Sequence, residues 1–109
     1  MRLPRLPDRV PVLSRDYKIK RVMSSTLLKE HGHECYADCS PQDCTIRIVR
    51  GVSLEAAWGY LEHELGHAFV FELGFRPRLE DDKTLEEDIV EKLMPAWLGC
   101  IQSLRGNRG

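Results

Sequence analysis

The sequence predicts an α+β domain: an N-terminal, antiparallel-rich sheet of about four strands, packed on a central helix and followed by a second, proline-kinked helix. Three observations predict it. Apolar and basic residues alternate in Tyr17-Lys18-Ile19-Lys20-Arg21-Val22 and again in Thr45-Ile46-Arg47-Ile48, the period of strands with one buried face. A long segment from about Leu54 to Leu73 is apolar around most of its circumference, as a buried helix is. Finally, Ile89, Val90, Leu93, Met94, Trp97, Leu98 and Ile101 recur at helical spacing around Pro95, which must kink or divide that helix near Met94.

Taken in order, residues 1–9 are rich in proline and arginine and read as an extended surface segment. Val10-Pro11-Val12-Leu13 reads as an edge strand, where proline is tolerated. Ser14-Arg15-Asp16 supplies a turn before the Tyr17–Val22 strand. Met23 to His33 reads either as a loop or as a short helical turn crossing the sheet. A hairpin follows, with Glu34 to Cys39 as one arm, Ser40-Pro41-Gln42-Asp43 as the turn and Cys44 to Val49 as the second arm. Gly51 ends that strand. Ser53 is a natural N-cap for the central helix, with Glu55 complementing its dipole, and Gly74 followed by Pro77 stops it. Gly59 and Gly66 weaken the helix but let another backbone or a substrate approach. Arg76 to Lys83 reads as a charged loop, about Leu85 to Leu104 as the final helix, and Gly106 to Gly109 as a frayed tail.

The 109 residues fit one domain, 1–109, with the apolar share (42%) and charged share (30%) of a globular protein. Sixteen basic against seventeen acidic residues leave a formal charge of −1, so no nucleic-acid partner is expected. Lys18, Lys20, Arg21, Arg47 and Arg50 read as a solvated strand face. No segment has the form of a signal peptide or a membrane span, so the expected location is cytoplasmic, with reduced thiols. Cys35, Cys39 and Cys44 follow His31 and His33 closely, but the spacing fits no usual zinc knuckle, and they read as small buried apolar residues.

The chemistry concentrates in His63-Glu64-Leu65-Gly66-His67. On a helix the two histidines lie one turn apart on one face, where two imidazoles can take two corners of a tetrahedral zinc site. Glu64 beside them can take a proton from a metal-bound water. As buried core residues, three such polar groups would each need a partner, a costly way to fill a core. A catalytic zinc usually has three protein ligands, and no histidine follows His67. The candidates for the third are Glu86, Glu87, Asp88 and Glu91. Glu87 stands twenty positions after His67 and Glu91 one turn later, so Glu87 can bind the metal while Glu91 accepts a hydrogen bond from a histidine's outer nitrogen. A competing role for Glu87 is a capping box with Thr84, which would free Glu86 to turn inward.

This arrangement resembles the gluzincin metallopeptidases, in which H-E-x-x-H is followed by a glutamate on a second helix. Short domains of this kind, with strands, a His-Glu-Leu-Gly-His helix and one further helix, are similar to minigluzincins and to the ImmA/IrrE-like peptidases of phages and mobile elements. The likeness runs from about Val10 to Leu104, including the Ile-Arg-Ile strand and Glu87-Asp88-Ile89-Val90-Glu91-Lys92-Leu93. It implies a small zincin-like fold, zinc at His63, His67 and Glu87, Glu64 as general base, and hydrolysis of a protein or peptide substrate by a metal-activated water. Tyr60, His31, His33 and Tyr36 are candidate donors to the oxyanion. The alternative is a non-catalytic, zinc-stabilised protein-interaction module, which a fourth protein ligand such as a cysteine or His33 would favour.

Overall fold

The computed structural model describes residues 3–74 and 83–106. Its four strands are β1 (Arg9–Val12), β2 (Arg15–Val22), β3 (Ala37–Ser40) and β4 (Thr45–Val49), in the order β1-β2-β4-β3. β1–β2 and β3–β4 are antiparallel, whereas β2 and β4 run parallel with Ile19 opposite Ile46 and Lys20 opposite Arg47. The parallel pairing was not foreseen from the alternation, which reports a face and not a direction. It follows from helix α1 (Ser24–His31), which forms within the ambiguous Met23–His33 stretch and carries the chain away from β2. Parallel neighbours need such a crossover. Gly32 closes α1 in the left-handed conformation (φ 75°), with its N–H on the Leu28 carbonyl.

The edge-strand reading of the Pro11 segment holds, since β1 lies at one end of the sheet. The hairpin holds too, with its turn tightened into a 3-10 turn at Pro41–Asp43. Cys44 takes a positive φ of 50° to re-enter β4.

One sheet face packs on α2 (Leu54–Glu72). Val12, Tyr17, Ile46 and Ile48 from the strands meet Ala57, Leu61 and Ala68 from the helix, all essentially inaccessible to solvent. Ser53 caps α2 as expected, its hydroxyl accepting the Ala56 N–H at 3.1 Å. The N-terminal segment crosses α2, where the Trp58 indole donates to the Pro4 carbonyl at 2.7 Å. The opposite sheet face carries a charged network: Arg47 pairs with both Asp38 and Glu30, and Asp38 also meets His31 at 2.9 Å. Burial alone would raise the Asp38 carboxyl, but hydrogen bonds from Arg47 and His31 overcome it and hold the group below the usual carboxylate range.

Where the sheet meets the C-terminal end of α2, the buried Tyr17 donates to Glu72 at 2.7 Å and Arg15 donates to the same oxygen at 3.1 Å. The Glu72 side chain is only 7% exposed, so each donor counts. Tyr17→Phe is expected to lower stability by about 1.5–3 kcal/mol, the range for hydrogen bonds to charged groups. Chemical unfolding read by circular dichroism measures it.

Beyond the α2 stop, the charged loop expected at Arg76–Lys83 lies outside the described residues, apart from Lys83. The chain is helical again in α3 (Lys83–Asp88), widens into a π turn at Ile89–Leu93, and continues as α4 (Met94–Gly106). The Met94 N–H reaches back five residues to the Ile89 carbonyl, so the ladder loosens immediately before Pro95, which has no N–H to give. The expected division near Met94 therefore takes the form of a wide turn. Of the apolar face anticipated on this helix, Val90 is buried against Val70, but Leu93, Trp97 and Leu98 are exposed. Among the described residues, no helix is long and apolar enough to cross a membrane.

Candidate metal centre

Helical spacing puts His63 and His67 on the side of α2 that faces α3, away from the sheet. Their rings stand 4.9 Å apart at a steep angle, with the two Nε2 atoms 3.2 Å from each other. Glu87 reaches in from α3, one oxygen 3.2 Å from His67 Nε2 and the other 3.7 Å from His63 Nε2. A tetrahedral zinc with bonds of about 2.0–2.1 Å holds its ligand atoms roughly 3.3–3.4 Å apart. The observed separations bracket that value, and two imidazoles with one carboxylate are a donor set zinc takes. Zinc fits these residues.

The structure brings together His63, His67 and Glu87, as the sequence indicated. It also gives the two adjacent glutamates different contacts. The chain is already helical at Lys83, so Thr84 is inside the helix, and Glu87 is turned to the histidines. Glu86 is not displaced to solvent: its carboxylate lies 2.7 Å from His67 Nδ1, with both side chains 14% exposed. That contact is the one expected of Glu91. A carboxylate on Nδ1 keeps the proton there and leaves Nε2 as the lone pair facing Glu87 and His63. Glu91, one turn after Glu87, is exposed and lines an apolar groove beside His63. The wide turn accounts for the exchange of roles, because it begins just after Asp88 and alters the helical phase between Glu87 and Glu91.

Close approach of the two segments depends on Gly66. A Cβ there would stand 2.8 Å from Val90 Cγ1 and 3.3 Å from Met94 Sδ. The bare backbone thus lets the wide turn settle against α2 one residue before His67, which sets the reach of Glu87.

Glu64 lies beside the pair and is half-buried. Burial pushes its carboxyl up to about 7; His67 opposes the rise, while the charges of Asp38 and Glu87 add to it. A carboxyl raised by folding gives up its proton at lower pH in the unfolded chain than in the folded one. Metal-free protein should therefore lose stability as pH rises from the ordinary glutamate range through about 7. Melting temperatures across that window should fall less steeply in Glu64→Gln; an equal slope would remove Glu64 as the cause.

Among the described residues the cluster has three members, and neither a cysteine nor His33 is one of them. His33 is turned to the Glu34 carbonyl instead. Cys39 and Cys44 pack at the edge of the core, Cys35 donates to the Ala37 carbonyl, and none of the three is in a disulfide. The small-apolar reading suits them. Of the oxyanion candidates, Tyr36 and Tyr60 stack at 5.7 Å, with the Tyr36 hydroxyl on Glu34 and His31 on Asp38. In the basic strip, Arg47 is paired as described and Arg21 donates to the Val49 carbonyl.

Comparison with known proteins gives no match to a family model, a curated protein or a solved structure. The functional reading therefore rests on the geometry of the centre.

Proposed function

We propose that the chain is a zinc-dependent metallopeptidase, with His63, His67 and Glu87 as ligands and Glu64 as general base. What supports the reading most is the convergence of two imidazoles and one carboxylate, whose ligand atoms all lie within 4.8 Å of one another, with no fourth protein ligand among the described residues. A bound zinc ion would polarise a peptide carbonyl and acidify a water molecule beside it.

The remaining work falls to the chain. Glu86 fixes the ring of His67 so that its lone pair is presented to the centre. Glu64, next to His63 in sequence and charge-coupled to His67, accepts the water proton and returns it to the departing amine. β3 is an edge strand, and an extended substrate can pair with such an edge beside the helix it packs on.

The test is metal content with ligand identity, followed by cleavage of an unstructured protein such as casein. Wild type is expected to bind one zinc per chain and to lose cleavage in chelator. His63→Ala and Glu87→Gln should lose the metal, while Cys39→Ser keeps it. Zinc retained at full stoichiometry in both ligand variants, or cleavage indifferent to chelator, would overturn the reading.

A further inference from the structure

The way β3 bonds to β4 decides what the open edge of the sheet offers. The Val49 N–H donates to the Tyr36 carbonyl at 2.9 Å, and the register continues with Ala37 opposite Ile48 and Cys39 opposite Ile46. In an antiparallel ladder, hydrogen-bonded pairs alternate with pairs whose backbone groups point away from the partner strand. Asp38 and Ser40 therefore turn their backbone groups toward β4, as Tyr36 does, whereas Ala37 and Cys39 turn theirs to the open side. The opposite edge is blunter, because β1 contains Pro11, which has no N–H to give a further strand.

The outward carbonyl of Ala37 is not left to solvent. Cys35 folds back over two residues, and its thiol donates to that oxygen at 3.1 Å. A thiol is a weak donor, so it occupies the carbonyl without holding it firmly. The position of this contact matters. Tyr36, between the two residues, stacks on Tyr60 at 5.7 Å, one turn before His63 on α2. The charge of Asp38, the next residue along β3, reaches Glu64. The open edge thus runs close to the candidate metal centre.

We propose that Cys35 is a displaceable plug on the substrate edge: an extended peptide pairs with β3 by donating a backbone N–H to the Ala37 carbonyl, and displaces the Cys35 thiol to do so. The step exchanges one donor for another at the same oxygen and makes or breaks no covalent bond. An amide N–H is the stronger donor, so the exchange favours a strand that also forms the neighbouring backbone bonds. Until such a strand arrives, the thiol keeps the outward carbonyl from recruiting stray edges. The occupant rests on the metallopeptidase reading; the contact between Cys35 and Ala37 does not.

Fluorescein-labelled casein, titrated into the full chain carrying Glu64→Gln so that it is bound and not cut, tests the plug by fluorescence anisotropy. Adding Cys35→Ala removes the donor and should tighten binding by about two- to fivefold, the lower part of what one net hydrogen bond is worth. Adding Cys35→Ser puts a hydroxyl donor in place of the thiol and should bind no more tightly than the parent. The carbonyl carbon resonance of Ala37, read by NMR, should move upfield in the alanine variant and stay near the parent value in the serine variant. Equal affinity of the alanine variant and the parent overturns the proposal. So does an equal gain in both variants, which would make the effect one of bulk or of disturbed folding. Casein that binds none of the three chains overturns it too, as does an alanine variant that pairs with its own copy in sedimentation and leaves casein aside. Cleavage by the wild-type chain is measured separately. A working peptidase indifferent to Cys35 defeats the plug alone, and a plug on a chain that cuts nothing defeats the peptidase reading alone.

Discussion

Glu64→Gln is expected to leave one zinc bound per chain and to lower peptide hydrolysis by roughly 10²- to 10⁴-fold, the usual contribution of a positioned general base. Glutamine keeps the size and most of the hydrogen-bonding capacity of glutamate but cannot take a proton. Because Glu64 is not one of the three converging donors, the metal should be indifferent to the change. Metal stoichiometry and turnover measured on the same preparation separate the two roles. Loss of zinc together with activity would mean that Glu64 supports the ligands and does not act on water. Full activity with zinc retained would end its role as base.

A second large effect is expected at Gly66. The alanine Cβ would sit 2.8 Å from Val90 Cγ1, and Val90 is buried with a branched, rotationally stiff side chain. Overpacking of this kind costs about 1–3 kcal/mol, against a gain of about 1 kcal/mol for replacing glycine in a helix. The net result should be a modest loss of stability. The larger consequence should be at the metal, since the displaced turn adjoins α3 and Glu87. Zinc affinity should fall by about 10- to 100-fold, as it does when a ligand's support is disturbed. Gly66→Ala with Val90→Ala should recover most of that affinity, because the two changes relieve one contact. A single variant that binds zinc like wild type would show that Glu87 does not depend on this contact.

How far the chain can be read without coordinates is clearest at particular residues. Ser53, Pro11, the two alternating strands and the His63/His67 pair each act through local chemistry, and each lies where that chemistry puts it. The parallel partnership of β2 and β4 was not legible, because side-chain alternation is identical in either direction. The division of labour between Glu86, Glu87 and Glu91 was only partly legible. A uniform helix places Glu86 and Glu87 on either side of one face; the wide turn at Ile89–Leu93 breaks that equivalence. The same turn explains why Trp97 and Leu98, at good helical spacing from Val90, do not continue its packing onto α2. Gly66 was legible as room for a close approach, though not as to which residue would use it.

The pairing of β2 with β4 has a consequence for the order in which the protein assembles. β1–β2 and β3–β4 are neighbours along the chain and can zip locally, but their union must wait for Lys18 to find Thr45 across α1 and β3. The three donors, by contrast, come from two helices that follow one another among the described residues, and none of them lies on the sheet. If the centre holds zinc as proposed, the metal would clasp α2 to α3 while the sheet is still in two halves. Refolding begun in zinc should shorten the formation of the helix pair and leave the joining of the half-sheets at its own pace.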